Sequence, residues 1–465
     1  MSAERDAGGV LVVGDIGSTF TKLVGVSTGG QVIASVKTPT FRDELAAGVA
    51  RATGLLSASL AGSGRVPEPA LSSSAGGGLR IVVLGLEPAL TLAAGLRTSA
   101  TAGARVVATY TPRQLAGVSR ERFESATPDL ALLTGGTNGG DTAGMIEHAQ
   151  SLRRLAPGLP VVVAGNREAR HSVQAILGRD RLVSFTENVM PRVGAMEGGS
   201  AQSAIRRLFV EHVIGRGRFS SAEPIARAIR MPTPVAVLRA AETLAALDET
   251  PLLRRPVVVD VGGATTDVHS VIPVDPGARA YVSEGLPDEP ASRTVEGDLG
   301  MRENALSLVE AARRDGFPAE QVEGLDAGAS RRVEERDFVP GDPHEREIDE
   351  RLAGVATTIA LRRHAGVLRT VLTPAGAVLR KNGRDLRSAT CVIATGGVFA
   401  HSSRPCEIVR EAMREVHRQG ALIAPDVPVL VDRSYLLWAV GLLRGEHPQT
   451  AERVVRAALP QAFLA

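Results

Sequence analysis

Short apolar runs that end in glycine set the pattern of this chain. GVLVVGDIG (9–17) is an apolar strand running into a glycine turn, and TKLVGVST (21–28) returns from it. Gly29 and Gly30 turn again into QVIASVKT (31–38), which predicts a three-strand meander. A helical pattern covers Arg42 to Leu60, and IVVLGL (81–86) is a further buried strand. From about Arg105 the rhythm alternates. RVVATYT, LALLTGG, LPVVVAGN and RLVSFTE read as strands separated by amphipathic runs such as Thr142 to Leu155. That alternation predicts a doubly wound parallel sheet, here an inserted α/β subdomain over 101–215 between a first half (1–100) and a second half (216–465).

The opening then recurs. Setting VVGDIGSTFTKLVGV (12–26) on VVVDVGGATTDVHSV (257–271) matches six of fifteen positions, with Asp15 on Asp260 and Gly17 on Gly262. A duplicated domain is the simplest account of two apolar strands that both end in Asp-x-Gly. The charged, proline-broken stretch 330–352 reads as a solvated linker entering a helix over Ile348 to Leu368. VLTPAGAVLRKNGRDL predicts a hairpin and ATCVIATGG a buried strand. VPVLVD and SYLLWAVGLLR, a strand and a helix, close the chain.

Composition narrows the field. With 44% apolar residues in 465 and a formal charge of +2, the chain is globular and has no basic block, so nucleic acid and anionic membranes are poor partners. No run reaches the roughly 18 apolar residues of a membrane span, and MSAERDAGG lacks a signal peptide's apolar core, so a cytoplasmic protein is expected. Cys391 and Cys406 form neither a CxxC spacing nor a disulfide framework. Of 53 basic residues only Lys22, Lys37 and Lys381 are lysines, which singles each of them out.

A phosphate chain needs close backbone N–H donors, hydroxyls, a cation, and carboxylates to hold magnesium. Asp15-Ile-Gly-Ser-Thr-Phe-Thr-Lys22 offers all of these in one turn, although alone it reads as readily as a glycine hairpin with a surface lysine. Asp260-Val-Gly-Gly-Ala-Thr-Thr-Asp267 is a second such loop, with the same plain alternative. Placed at equivalent points of two half-domains, the pair can face each other across a cleft, which is far more specific than either loop. A third glycine pair in Ala394-Thr-Gly-Gly-Val398 follows a buried strand, where a purine or ribose can lie on the backbone. No GxxxxGK[ST] is present.

Asp15 to Lys22 resembles the first phosphate motif of the actin, Hsp70 and sugar-kinase superfamily. Asp260 to Asp267 resembles its second, and Ile393 to Ser402 its adenosine motif, in the family's order. RTVEGDLGMREN (293–304), TGGTNGGD (134–141), VVVAGN (161–166), ENVMP (187–191) and the GRDL before ATGG narrow the likeness. Together, over roughly 10–445, they resemble the glutamate mutase L family, also called MutL and unrelated to the mismatch-repair protein of that name. The resemblance implies α/β architecture: duplicated actin-like ATPase (ribonuclease H-like) domains with an inserted doubly wound α/β subdomain. It implies ATP and Mg2+ as cofactors and slow hydrolysis. As partner it implies an adenosylcobalamin-dependent mutase, such as glutamate (methylaspartate) mutase, or its cobalamin-binding subunit, which this chain would serve as chaperone or reactivating factor.

Carried over by motif, Asp15 and Asp260 would organise the metal. Gly17, Ser18, Thr19, Thr21 and Lys22 would bind phosphates opposite Gly262, Gly263, Thr265 and Thr266. Asp267 would position metal or attacking water, and Gly396 and Gly397 would contact adenosine. Glu296 to Asn304 resembles a loop that opens a helix near the nucleotide; as plain residues it is a capped helix start, with Arg302 in a surface ion pair. Gly135, Gly136, Gly139, Gly140 and Asp141 invite a second ligand site, and a tight turn capped by Asp141 explains them equally well. His269 and His401 flank the motifs without a catalytic pattern, and Cys391 reads as inert core. A small-molecule kinase and a hydantoinase-like enzyme share the superfamily and remain rival readings. The dehydratase-activator branch, which shares the GSTxTK loop, would need an iron–sulfur cluster on cysteines.

Overall fold

The computed structural model describes residues 9–41, 44–60, 67–74, 79–178, 180–209, 223–247, 249–274, 281–283, 285–374 and 376–462. The predicted meander forms from β1 (Val10–Ile16), β2 (Phe20–Ser27) and β3 (Val32–Pro39), all antiparallel, and a helix over Leu45–Ser59 follows. That helix occupies most of the expected span; Arg42 lies outside the described residues. β4 (Ala70–Ser73) lies parallel to β1.

Five strands then build a separate sheet: β5 (Arg80–Leu84), β6 (Arg105–Tyr110), β7 (Leu130–Leu133), β8 (Val161–Val163) and β9 (Val183–Phe185). They are all parallel, in the order β6-β5-β7-β8-β9, with a helix over Ala143–Leu155 on the expected amphipathic run. This is the predicted doubly wound sheet. Strand membership divides the chain differently from the expected limits. β5 belongs to this sheet, so a division at residue 100 cuts it, and the inserted layer starts at about residue 80. β10 (Ile229–Pro232) is already back beside β4 in the first sheet; the expected limit at 215 lies outside the described residues.

The second half repeats the first. β11 (Pro256–Val261), β12 (Thr266–Val271) and, past the short β13 (Val282–Ser283), β14 (Ala291–Glu296) form an antiparallel meander. β15 (Val367–Thr373) and β16 (Gly376–Asn382) are the expected hairpin, paired with β13. β17 (Cys391–Thr395) and β18 (Val429–Val431) add in parallel to β11. The orders β10-β4-β1-β2-β3 and β18-β17-β11-β12-β14 match strand for strand, including which neighbours are parallel. This ribonuclease H-like arrangement, present twice, is the duplication expected from the repeated Asp-x-Gly.

The halves share a core. The helix Thr233–Ala245 follows β10, and its counterpart Leu437–Glu446 follows β18. Their apolar faces pack with Val13 and Val24 of the first sheet and Val258 and Ile393 of the second. The two helices cross at Gly441, where a Cβ would lie 1.7 Å from the carbonyl oxygen of Ala236. Only hydrogen fits there. Gly441→Ala should therefore lower the melting temperature through overpacking worth about 1–3 kcal/mol, although alanine is the better helix former. Gly445→Ala is the control, since its Cβ would meet the flexible ends of Arg239 at 3.3 Å and Met231 at 3.9 Å and no backbone. Equal melting temperatures for wild type and Gly441→Ala would refute the close crossing.

Candidate functional site

The two Asp-x-Gly turns are the same turn. Gly17 N donates to Phe20 O at 3.0 Å, and Gly262 N donates to Thr265 O at 2.9 Å. In register, Asp15 sits across from Lys22 on β1–β2, and Asp260 across from Asp267 on β11–β12. The loops meet tip to tip. A Cβ on Gly263 would fall 2.5 Å from Thr19 Oγ1 and 2.9 Å from Ser18 Oγ, so the absent side chain leaves room for this approach. Around the contact lies a cavity of about 430 Å³ whose lining includes Asp15, Gly17, Ser18, Thr19 and Lys22 from one half. Asp260, Gly262, Gly263, Thr265, Asp267 and Gly397 line it from the other.

Burial dominates its electrostatics. Asp15 Oδ1 accepts from Ser72 Oγ at 2.9 Å and Thr233 Oγ1 at 2.5 Å, while Lys22 Nζ lies 3.6 Å from Oδ2. The Lys22 ammonium also sits 3.7 Å from the ring centre of Tyr435. Burial pushes the Lys22 pKa down, against the pull of Asp15, Asp260 and Asp432. Asp267 has both oxygens engaged, one with Arg293 at 2.9 Å and one with Thr265 Oγ1 at 3.0 Å. Asp260 is different. Its Oδ1 is buried without a hydrogen-bond partner, and burial, then the Asp267 charge, raise its pKa to about 7.

Three expected contacts fall elsewhere. Thr21 and Thr266 alternate away from the cavity: Thr21 bonds Thr40 Oγ1 at 3.0 Å, and Thr266 donates to Leu299 O at 2.7 Å. Gly396 is wedged against β11, where at φ 113° a Cβ would meet Val261 O at 2.3 Å; its neighbour Gly397 is the one that lines the cavity. Three residues beyond the motifs belong to the site. Asp432, directly after β18, stands behind the cavity beside Lys22 and Asp260, and it accepts from Thr395 Oγ1 and from Leu436 N and Leu437 N at 2.9–3.0 Å. VPVLVD carries the same apolar-run-then-Asp signal and could have found it. Tyr435, held at φ 50°, and Trp438 line the cavity, with no sequence signal that marks them.

The charged stretch 330–352 is more than a linker. A helix covers Leu325–Glu334, the next begins at Pro343 rather than Ile348 and ends at His364, and Phe338, Val339 and Pro340 line the cavity between them. Arg332 is fully buried and bonds Asp349 at 2.6 Å and Glu345 at 2.9 Å. Arg302 is no surface pair either. It grips Asp349 at both oxygens, at 3.1 and 2.9 Å, with side-chain exposures of 12% and 10%.

In the inserted layer the glycine run knits to its neighbours. Asn166 Nδ2 donates to Gly140 O and Asp141 O, Asn188 Nδ2 to Gly136 O, and Gly139 N to Glu168. Asp141 Oδ2 accepts from Gly144 N at 3.1 Å, and Leu86 fills the space against Gly135 and Gly144. The tight-turn reading accounts for these contacts. His269 is fully buried and held neutral by burial, Arg293 and His364, whereas His401 lines the cavity. Burial raises the Cys391 thiol to about 12.

Among the described residues no group of three or more His, Cys, Asp or Glu could by itself hold a metal, and no helix is long and apolar enough to cross a membrane. The donors fit magnesium brought with phosphates, which takes one or two protein carboxylates and fills its shell with phosphate and water. The orphaned Oδ1 of Asp260 and unpartnered Oγ1 of Thr19 stand where such a ligand would meet both loops.

A family described as MutL protein matches residues 11–459. Protein MutL of Clostridium tetanomorphum is 36% identical over 450 residues, covering 95% of this chain and 97% of that one. Solved structures are similar at lower identity. A nucleotide-free acetone carboxylase is 13% identical with a TM-score of 0.38, covering 94% of this chain and 70% of the other. A ROK family glucokinase from Streptomyces griseus, with glucose and AMPPNP, is 13% identical with a TM-score of 0.31 over 93% and 98%.

The raised Asp260 pKa has a definite sign. Unfolded, this group ionises near 3.8, and folded near 7, so between those values the native state holds a proton that the unfolded chain has lost. Its contribution to stability therefore falls as pH rises across that window. Asp260→Asn removes the fall. In chelator and without nucleotide, its melting temperature relative to wild type should be higher at pH 8 than at pH 5; a pH-independent difference would show Asp260 to be solvated.

Proposed function

This chain belongs to the MutL family, and on that footing we propose an ATP-binding, magnesium-dependent accessory protein for an adenosylcobalamin-dependent mutase, such as glutamate (methylaspartate) mutase. The observation that carries the nucleotide half of this reading is the tip-to-tip meeting of two identical Asp-x-Gly turns around one cavity. Only together do they offer amides and carboxylates on both sides of a triphosphate.

In this reading the backbone around Gly17–Thr19 and Gly262–Ala264 receives phosphate oxygens. Asp15 and Asp260 hold the magnesium directly or through water, and the magnesium supplies charge neutralisation on the phosphates. Asp260, with its free oxygen, is the better placed to act on the metal or on a water. Asp267 is spent on Arg293 and Thr265 and so fixes the second turn rather than meeting the ligand first. The base would lie towards Gly397, in a cavity that Phe338, Val339 and Pro340 also line. Asp260→Asn should lose hydrolysis while keeping much of the nucleotide affinity, because backbone contacts survive it.

Partner work follows from two halves that close on a nucleotide. Adenosylcobalamin enzymes make radicals and can be trapped with a damaged cofactor, whose release requires opening a tight interface. An ATPase can drive that opening if its grip on the partner differs between nucleotide states. The test inactivates a cobalamin mutase, adds this protein with ATP, magnesium and fresh adenosylcobalamin, and follows product. Recovery that needs ATP is expected. No recovery, with rapid phosphorylation of a small alcohol or carboxylic acid, would replace this reading by a kinase. In parallel, the melting temperature should rise with magnesium-ATP, by about 2.7 kcal/mol of stabilisation at a hundredfold excess over Kd.

A further inference from the structure

Two of the three lysines, Lys22 and Lys37, line the same cavity and are register partners on β2 and β3. Their surroundings differ. Lys22 is enclosed, 3.6 Å from Asp15, with its ammonium against Tyr435. Its charge already answers a buried carboxylate, and moving it to a ligand would strand that carboxylate. Lys37 stands at the exposed rim with its ammonium 4.2 Å from the ring centre of Phe20. Among the described residues it has no ion pair and no side-chain hydrogen bond.

The charges that act on Lys37 are cationic. Lys22 and Arg302 hold its pKa down, after burial, and Lys37 with Arg433 does the same to His401. Arg302 is committed to Asp349, and Arg433 donates to the carbonyls of Phe399, Ala400 and Ser402. Lys37 therefore brings an uncompensated positive charge to the rim of the cavity, on the first half. An anion is the ligand that balances it, and a compact ammonium suits a point contact on a phosphate oxygen.

Resting on the nucleotide reading above, we propose that Lys37 contacts the terminal phosphate of a bound nucleoside triphosphate, while Lys22 stays as the fixed counter-ion of the carboxylates. Lys37, by this assignment, is what distinguishes a triphosphate from a diphosphate. Lys22 supports binding of both alike by keeping Asp15 and its neighbours neutralised. The sequence motif had pointed the other way, to Lys22 as the phosphate cation.

The experiment titrates magnesium-ATP and magnesium-ADP into the full chain. The readout is fluorescence of Trp438, the single tryptophan and a cavity residue, with calorimetry as a second measure. Lys37→Met should weaken ATP by about tenfold relative to ADP, the size of one charged hydrogen bond, and Lys37→Arg should restore most of the difference. Because Lys37 is exposed, both variants should keep the wild-type melting temperature. Lys22→Met should weaken both nucleotides by a similar factor. An unchanged ATP-to-ADP ratio in Lys37→Met, with wild type binding normally, would overturn the assignment alone. A ratio that moves in Lys22→Met instead would also overturn it. Wild type binding neither nucleotide would remove the nucleotide reading and this assignment together.

Discussion

Negative charge gathers where the two halves meet, and the ammonium of Lys22 is what makes the gathering tolerable. Asp15, Asp260 and Asp432 end or nearly end three apolar strands and are buried together. At an effective dielectric near 20, two like charges 4 Å apart repel by about 4 kcal/mol. Side-chain hydroxyls and helix amides absorb part of that for Asp15 and Asp432. Asp260 has no such relief at Oδ1 and holds a proton near neutral pH instead. The buried carboxylates are therefore short of one cation, and a divalent ion arriving with phosphates would complete them.

The duplication sharpens this imbalance. Superimposed by register, the position across from Asp15 is Lys22, and the position across from Asp260 is Asp267. One half thus supplies its own counter-ion and the other doubles its anionic charge. Arg293 on β14 answers Asp267 and, with its other nitrogen, donates 2.8 Å to the carbonyl of Ala100 at the end of a helix in the inserted layer. A residue needed to neutralise the site also ties the inserted sheet to the second half. Arg105, at the start of β6, lies against Gly297 in the same region, where a Cβ would come within 1.9 Å of its Nε.

The architecture was legible because its signals are local. Apolar strands, alternating helices and two Asp-x-Gly ends need no knowledge of distant neighbours, and the repeated turn emerged with matching hydrogen bonds. The buried polar network was not legible. Arg332, Asp349 and Arg302 read as solvated charge because composition cannot reveal that residues 302, 332 and 349 converge beneath one loop. Thr21 and Thr266 were placed at the site by motif, and a strand's period of two sends them to the other face. Tyr435 carries no local mark at all: its left-handed backbone is imposed by the turn between β18 and the helix that crosses its twin at Gly441.

That buried network also gives the second turn a mechanical outlet. Met301 N donates to Gly262 O, and Arg302 N and Glu303 N both donate to Gly263 O. Asn304 Nδ2 donates to Ala264 O, so four donors strap residues 301–304 to the loop that would touch phosphate. The Arg302 side chain continues the strap to Asp349, and Arg332 carries it to the helix Leu325–Glu334. Such chains are expensive to break one link at a time, because a severed buried bond leaves a polar group without its partner. The loop, the helix Pro343–His364 and the helix Leu325–Glu334 are thus linked by one continuous chain of hydrogen bonds. The first half would meet the same ligand through Gly17–Thr19, and the halves are joined at the shared helix pair, at the loop tips and through Arg293 to Ala100. A ligand shifts an equilibrium only by its difference in affinity between two states, and the contact between Gly263 and Thr19 is where one ligand would touch both turns.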